Sequence, residues 1–152
     1  MKGDNMCIFK ETVDFEGASQ GQKYIDLSIP SNPEYVSIVR LTASVIANSI
    51  GFDFEEIEDI KVAVSEACNN VVVHSKKEEN FDIRFIKENE KIGVIVKDNG
   101  NGFDLADYSS PDLKNPSDHG LGIFVIKSLM DRVEVNSSKE KGTEIKMYKN
   151  LL

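Results

Sequence analysis

The sequence predicts an α+β domain in which a mixed sheet is covered on one face by helices. Three observations carry this reading. Apolar and alternating runs bounded by turn formers mark strands near residues 23–29, 81–87, 91–97, 132–137 and 143–149. Apolar residues at helical spacing mark helices near 31–49, 53–75 and 121–130. The resulting order, β-α-α-β-β-loop-α-β-β, does not alternate strictly, and two of its strand pairs read as hairpins.

Residues 1–22 read as a tail or edge element, with Gly17, Ser19 and Gly21 loosening the chain, and residues 23–152 as one domain. From Lys23 to Ile29, Tyr24, Asp26 and Ser28 alternate with Ile25, Leu27 and Ile29, the pattern of a half-buried strand. Ser31-Asn32-Pro33-Glu34 then reads as a helix start: a capping side chain, a proline in the first turn and an acid near the positive end of the dipole. Val36, Val39, Ala43, Ile46 and Ile50 share one face, and Gly51 is a plausible stop.

Asp53 can cap the second helix, which places Ile57, Ile60, Val64, Cys68, Val71 and Ser75 on one side. Asp59, Glu66, Asn70 and Val73 fall on the opposite side, away from the main core face. Phe81–Lys87 and Lys91–Lys97 form a hairpin through Glu88-Asn89-Glu90. Residues 98–118, rich in Gly, Asp, Asn, Ser and Pro, read as a long loop, and loops of that length inside a compact domain are usually functional or mobile. The third helix, Leu121–Met130, is entered through His119-Gly120-Leu121-Gly122. The last hairpin, Arg132–Ser137 with Thr143–Lys149, turns through residues 139–142.

With 152 residues, the chain can bury about two thirds of the surface its unfolded form exposes. Its hydrophobic and charged shares, 40% and 29%, are those of an ordinary soluble domain. A net charge of −8 makes nucleic acid a poor partner, because phosphate binding needs a basic surface. Two cysteines, Cys7 and Cys68, make no disulfide framework, and Cys68 reads as a small buried hydrophobe. The opening Met1–Asn5 is polar with no apolar signal region after it, and no run approaches a membrane span, so the expected setting is cytoplasmic.

Four places can carry chemistry. Glu66 and Asn70, four apart, bring a proton acceptor and a hard oxygen ligand suited to Mg²⁺ into one small volume. Taken alone, a solvated helix face explains them more simply. Asp98-Asn99-Gly100-Asn101-Gly102 directly follows a strand; its aspartate can accept from an exocyclic amine such as that of adenine, and its glycines allow close approach to a ligand. A turn rich in turn formers explains that stretch as well. Gly120-Leu121-Gly122 leads into a helix whose free amides and dipole attract phosphate, although a lone Gly-x-Gly is a weak signal. Gly142-Thr143 alone is a turn glycine and a strand threonine.

The fixed order of these four signals resembles the nucleotide-binding boxes of the GHKL ATPase/kinase superfamily, over about residues 23–149. Pro33-Glu34-Tyr35-Val36, Arg40-Leu41-Thr42 and the run from Ile57-Glu58-Asp59-Ile60-Lys61 to Val64-Ser65-Glu66-Ala67-Cys68 look most like the bacterial anti-sigma factor serine-protein kinases, the stress-response type more than the sporulation type. The resemblance implies a Bergerat-type two-layer sandwich with a mixed, mostly antiparallel sheet. It also implies ATP and Mg²⁺ as cofactors, a homodimer, a sigma factor as partner, and a serine of an anti-anti-sigma protein of STAS type as substrate.

Carried onto matching positions, Glu66 is the general base and Asn70 the Mg²⁺ ligand. Asp98 recognises adenine with help from Thr143. Gly100 and Gly102 shape the pocket, Gly120, Leu121 and Gly122 meet the phosphates, and Arg40 lies on the partner-binding surface unless it is merely a solvated helix arginine. The chain departs from the pattern at Asn69, Ser75 and His119, and its lid, about residues 108–119, has no arginine, leaving Lys114 as its only strong cation toward the γ-phosphate. His74 matches the motif and reads as structural. The alternative function is an ATP-binding regulatory module with little or no kinase activity.

Overall fold

The computed structural model describes residues 22–74, 80–98, 118–138 and 142–152. Within them lie β1 (Lys23–Pro30), α1 (Val36–Ile50), α2 (Phe54–His74), β2 (Asn80–Lys87), β3 (Lys91–Lys97), α3 (Asp118–Leu129), β4 (Arg132–Ser138) and β5 (Gly142–Asn150). The strands form one sheet in the order β1-β2-β3-β5-β4. The expected tail, residues 1–21, and the long loop, residues 99–117, lie outside the described residues.

Local chemistry accounts for the helix boundaries. Asn32 Oδ1 accepts from the Glu34 amide, and Pro33 opens a single 3₁₀ turn that runs into α1. Gly51, at φ 112°, ends α1 in the left-handed conformation, and its N–H reaches the carbonyls of Ala47 and Asn48. Asp53 and Glu56 form a reciprocal cap at the start of α2: Asp53 Oδ1 accepts from the Glu56 amide and Glu56 Oε2 accepts from the Asp53 amide, both at 2.9 Å.

The core lies between the helices and one face of the sheet. Val39, Ala43 and Ile46 of α1 and Ile60, Val64, Cys68 and Val71 of α2 are buried against Phe81, Ile83 and Phe85 of β2, Val94 and Val96 of β3, and Ile145 and Met147 of β5. Lys149 ties the layers together, donating to the Leu129 carbonyl at the end of α3 at 2.8 Å and lying 3.9 Å from Asp59 of α2.

Three expectations are corrected. Every described strand pairing is antiparallel, so the sheet is not mixed among the described residues. The alternating pattern marks strands and their faces but does not choose their partners, and α1 and α2 return the chain to run β2 against β1 in the opposite sense. The strand β1 is not half buried along its length: Ile25 is 40% exposed and only Ile29 is buried, because β1 is an edge strand among the described residues. It is held instead on the far face by Arg84, whose two nitrogens grip both oxygens of Asp26 at 2.6 and 2.7 Å. Finally, α3 begins at Asp118 rather than Leu121, so Gly120 and Gly122 lie inside its first two turns.

Candidate functional site

Helix α2 presents two faces. Its core side is uniformly apolar, whereas Glu66 and Asn70 are half-buried on the side that meets α3. Their stripe therefore faces a neighbouring helix rather than open water. A Cβ built on Gly122 would sit 3.1 Å from Glu66 Oε2, so the carboxylate rests against the bare backbone of α3. One turn further along, the Asn70 amide nitrogen is buried with no hydrogen-bond partner among the described residues. A buried amide end without a partner is costly, and such groups usually await a ligand, an ion or a water. Because the oxygen and nitrogen of an amide occupy nearly the same space, the same position can offer a donor to an anion or, turned over, an oxygen to a cation.

A second cluster forms where β3 ends and β5 begins. Asp98 is 1% exposed and Thr143 is 2% exposed. The Asp98 amide donates to the Thr143 carbonyl at 3.0 Å, continuing the ladder one step past β3. Gly142 covers the aspartate. Its φ of 80° lies in the left-handed region, and a Cβ there would meet the Asp98 carbonyl oxygen and come within 2.8 Å of Oδ1. Thr143 in turn shares a hydrogen bond of 2.9 Å with the hydroxyl of Ser137 on the edge strand β4.

The two clusters sit on one framework. Helix α2, which carries Glu66 and Asn70, packs on β3 and β5, the strands that deliver Asp98 and Thr143. A cavity of about 320 Å³ opens beside the second cluster, lined by Thr143, Gly142, Ser137, Ser138, Asn136, Lys97 and Glu144. Gly120 is buried in the first turn of α3, where amides lack intrahelical acceptors, and the Leu121 side chain is 41% exposed. Arg40 is exposed on α1. Gly100, Gly102 and Lys114 lie outside the described residues.

Sequence reasoning passed over Ser137. Its one signal was positional: counting back across the last hairpin sets Ser137 opposite Thr143, and that is the observed register. It also discounted Gly142, whose backbone conformation and closeness to Asp98 appear only once β3 and β5 are paired. Cys68 is buried as expected, and burial pushes its thiol up to about 12, which makes it inert at neutral pH. No described helix is long and apolar enough to cross a membrane.

Residues 29–149 match the model of the histidine kinase-like ATPase domain, and such a domain implies the use of ATP. The serine-protein kinase RsbW of Bacillus velezensis is 41% identical over 139 residues, covering 84% of this chain and 86% of the relative. The serine-protein kinase RsbW of Bacillus subtilis is 40% identical with the same coverage. Among solved structures, the RsbU and RsbW domains of Rv1364c from Mycobacterium tuberculosis superpose with a TM-score of 0.63 at 16% identity, over 85% of this chain and 32% of that one. The mycobacterial sensor histidine kinase MprB gives a TM-score of 0.52 at 13% identity, over 84% and 97%. At that identity the two structures speak to the fold alone, and the fold is the same helix-covered sheet. With the family model spanning most of the chain and relatives of this identity along nearly its whole length, the chain belongs to the histidine kinase-like ATPase family, among the RsbW serine-protein kinases.

Proposed function

We propose that the chain is an ATP-dependent serine-protein kinase and anti-sigma factor, which sequesters a sigma factor and phosphorylates a serine on an anti-anti-sigma partner of STAS type. The observation that carries the kinase reading is the carboxylate of Glu66 at the α2–α3 seam, one turn from an amide whose buried nitrogen has no partner among the described residues. A solvated helix face would leave neither group in that state.

In this reading Glu66 accepts the proton of the substrate serine as its oxygen bonds to the γ-phosphorus and the bond to the ADP oxygen breaks. Asn70 would hold Mg²⁺ through its amide oxygen, and the ion would supply charge neutralisation at the phosphates. Asp98 accepts from the adenine amine, and Thr143 assists it. Gly120, Leu121 and Gly122 line the phosphate side, with Gly120 in the turn that has free amides. Gly100 and Gly102 shape the pocket, and Lys114 approaches the γ-phosphate. Arg40 belongs to the partner-binding surface, an assignment supported by the family resemblance and by its exposure on α1, and the chain acts as a homodimer.

The deciding experiment is calorimetric titration with ATP, with and without Mg²⁺, followed by intact-mass analysis of an anti-anti-sigma protein incubated with the chain. Glu66→Gln keeps ATP binding and loses phosphate transfer. Asn70→Ala weakens the Mg²⁺-dependent binding itself. Undiminished transfer by Glu66→Gln removes the base assignment, and binding without transfer by the parent chain favours a nucleotide-binding regulatory module.

A further inference from the structure

Thr143 is buried and its hydroxyl carries a single proton, so its neighbours decide whether it offers a donor or an acceptor. Ser137 stands directly opposite it on β4, with the two hydroxyl oxygens 2.9 Å apart, and either atom is able to donate. The direction of that bond sets the polarity of the whole cluster. If Thr143 donated to Ser137, it would have only lone pairs left for a ligand. If Ser137 donates to Thr143, the Thr143 proton is released to point elsewhere.

A purine base discriminates between these states. Adenine presents a donor at its exocyclic amine and an acceptor at the adjacent ring nitrogen. Guanine presents the reverse, a carbonyl oxygen and a ring N–H. The Asp98 carboxylate is acceptor-only and therefore fits the adenine amine. The fit to adenine is complete only when the second group is a donor. We infer that Ser137 is a positioning residue for adenine selection: it donates its hydroxyl proton to Thr143 Oγ1, so that Thr143 presents its own proton to the base, directly or through a water. This rests on the adenine site proposed above at Asp98 and Thr143.

Three variants test it in the full chain, with ATP and GTP affinities measured by calorimetry in Mg²⁺. Ser137→Ala removes the contact that fixes the Thr143 hydroxyl, so its proton is no longer held toward the base; ATP binding is expected to weaken by about three- to tenfold, the weight of one neutral hydrogen bond, with GTP binding unchanged. Ser137→Thr keeps the hydroxyl on a residue that suits a strand, and restores the ATP preference. Thr143→Val loses the same preference because the donor itself is gone. An equal loss for both nucleotides, or no loss, in Ser137→Ala overturns the proposal while Thr143→Val still shows the preference depending on Thr143. If the parent chain shows no preference for ATP, or Thr143→Val leaves it intact, the adenine assignment fails and takes this inference with it.

Discussion

The carboxylate of Glu66 rests against the backbone of Gly122, where a Cβ would lie only 3.1 Å from Oε2. That contact changes what Gly122 is for. Its position in the second turn of α3 gives its N–H an intrahelical acceptor, whereas Gly120 lies in the first turn where amides are free. Gly122, proposed above to line the phosphate side, thus also leaves room for the carboxylate proposed as the base. In Gly122→Ala the carboxylate must give way by a few tenths of an ångström. Phosphate transfer should fall by about tenfold or more in kcat, a larger loss than that in ATP affinity, since misplaced reacting groups are costly. Steady-state kinetics beside calorimetry check this, and a loss confined to ATP affinity would return Gly122 to the phosphates.

At the other cluster the relation between glycine and carboxylate is stricter. Gly142 has a φ of 80°, and a Cβ there would collide with the Asp98 backbone. Backbone cannot swing aside as a side chain can, so Gly142→Ala strains its own conformation and pushes β5 from β3. The expected cost is about 2–4 kcal/mol of stability. Urea unfolding reads that cost. Asp98 moves with the strand, so ATP affinity should fall with it.

What was legible in the sequence were the features written locally. Asn32 and Pro33 announce α1, Gly51 ends it, and Glu88-Asn89-Glu90 closes the β2–β3 hairpin; all four act within a few residues of themselves. The proposed site residues Glu66, Asn70, Asp98 and Thr143 stand out in the sequence only as a series, since each alone suits a bland role. Features created by distant partners were not legible. The exposure of β1 follows from its place at the sheet edge, and that place follows from pairing with β2, some fifty residues on. The early start of α3 defeats periodicity because Gly120 and Gly122 contribute no apolar face, and the helix is supported there by contact with α2. Ser137 was only the last residue of a strand in the sequence, and its pairing with Thr143 appears in the register of β4 and β5.

The reciprocal cap at Asp53 and Glu56 holds the start of the helix that carries Glu66 and Asn70. Removing one member leaves an amide of the first turn without its acceptor. Asp53→Ala should cost about 1 kcal/mol, read as a lower urea midpoint with an unchanged slope. Because Asp53 lies about three and a half turns from Glu66, transfer activity in the folded fraction should be unaffected. A large loss of activity at full folding would mean that the cap sets the pose of α2 and not only its stability.

Cys68 gives the fold a specific alkaline weakness. Burial in the core raises its thiol from an ordinary 9.0 to about 12. Between those values the unfolded chain releases the proton and the folded chain keeps it, so the unfolded state is favoured as pH rises. The stability associated with the neutral thiol is fully present below pH 9 and is lost progressively toward pH 12, at a limiting slope of about 1.4 kcal/mol per pH unit for one proton. Tyr148, also raised by partial burial, acts in the same direction. Cys68→Ala should therefore be less stable than the parent at pH 7, where it leaves a small cavity, yet lose stability less steeply above pH 9. Urea midpoints across that pH range decide it. Parallel curves for the two proteins would mean that the folded thiol ionises as readily as the unfolded one, and that Cys68 is not sealed in the core between α2 and the sheet.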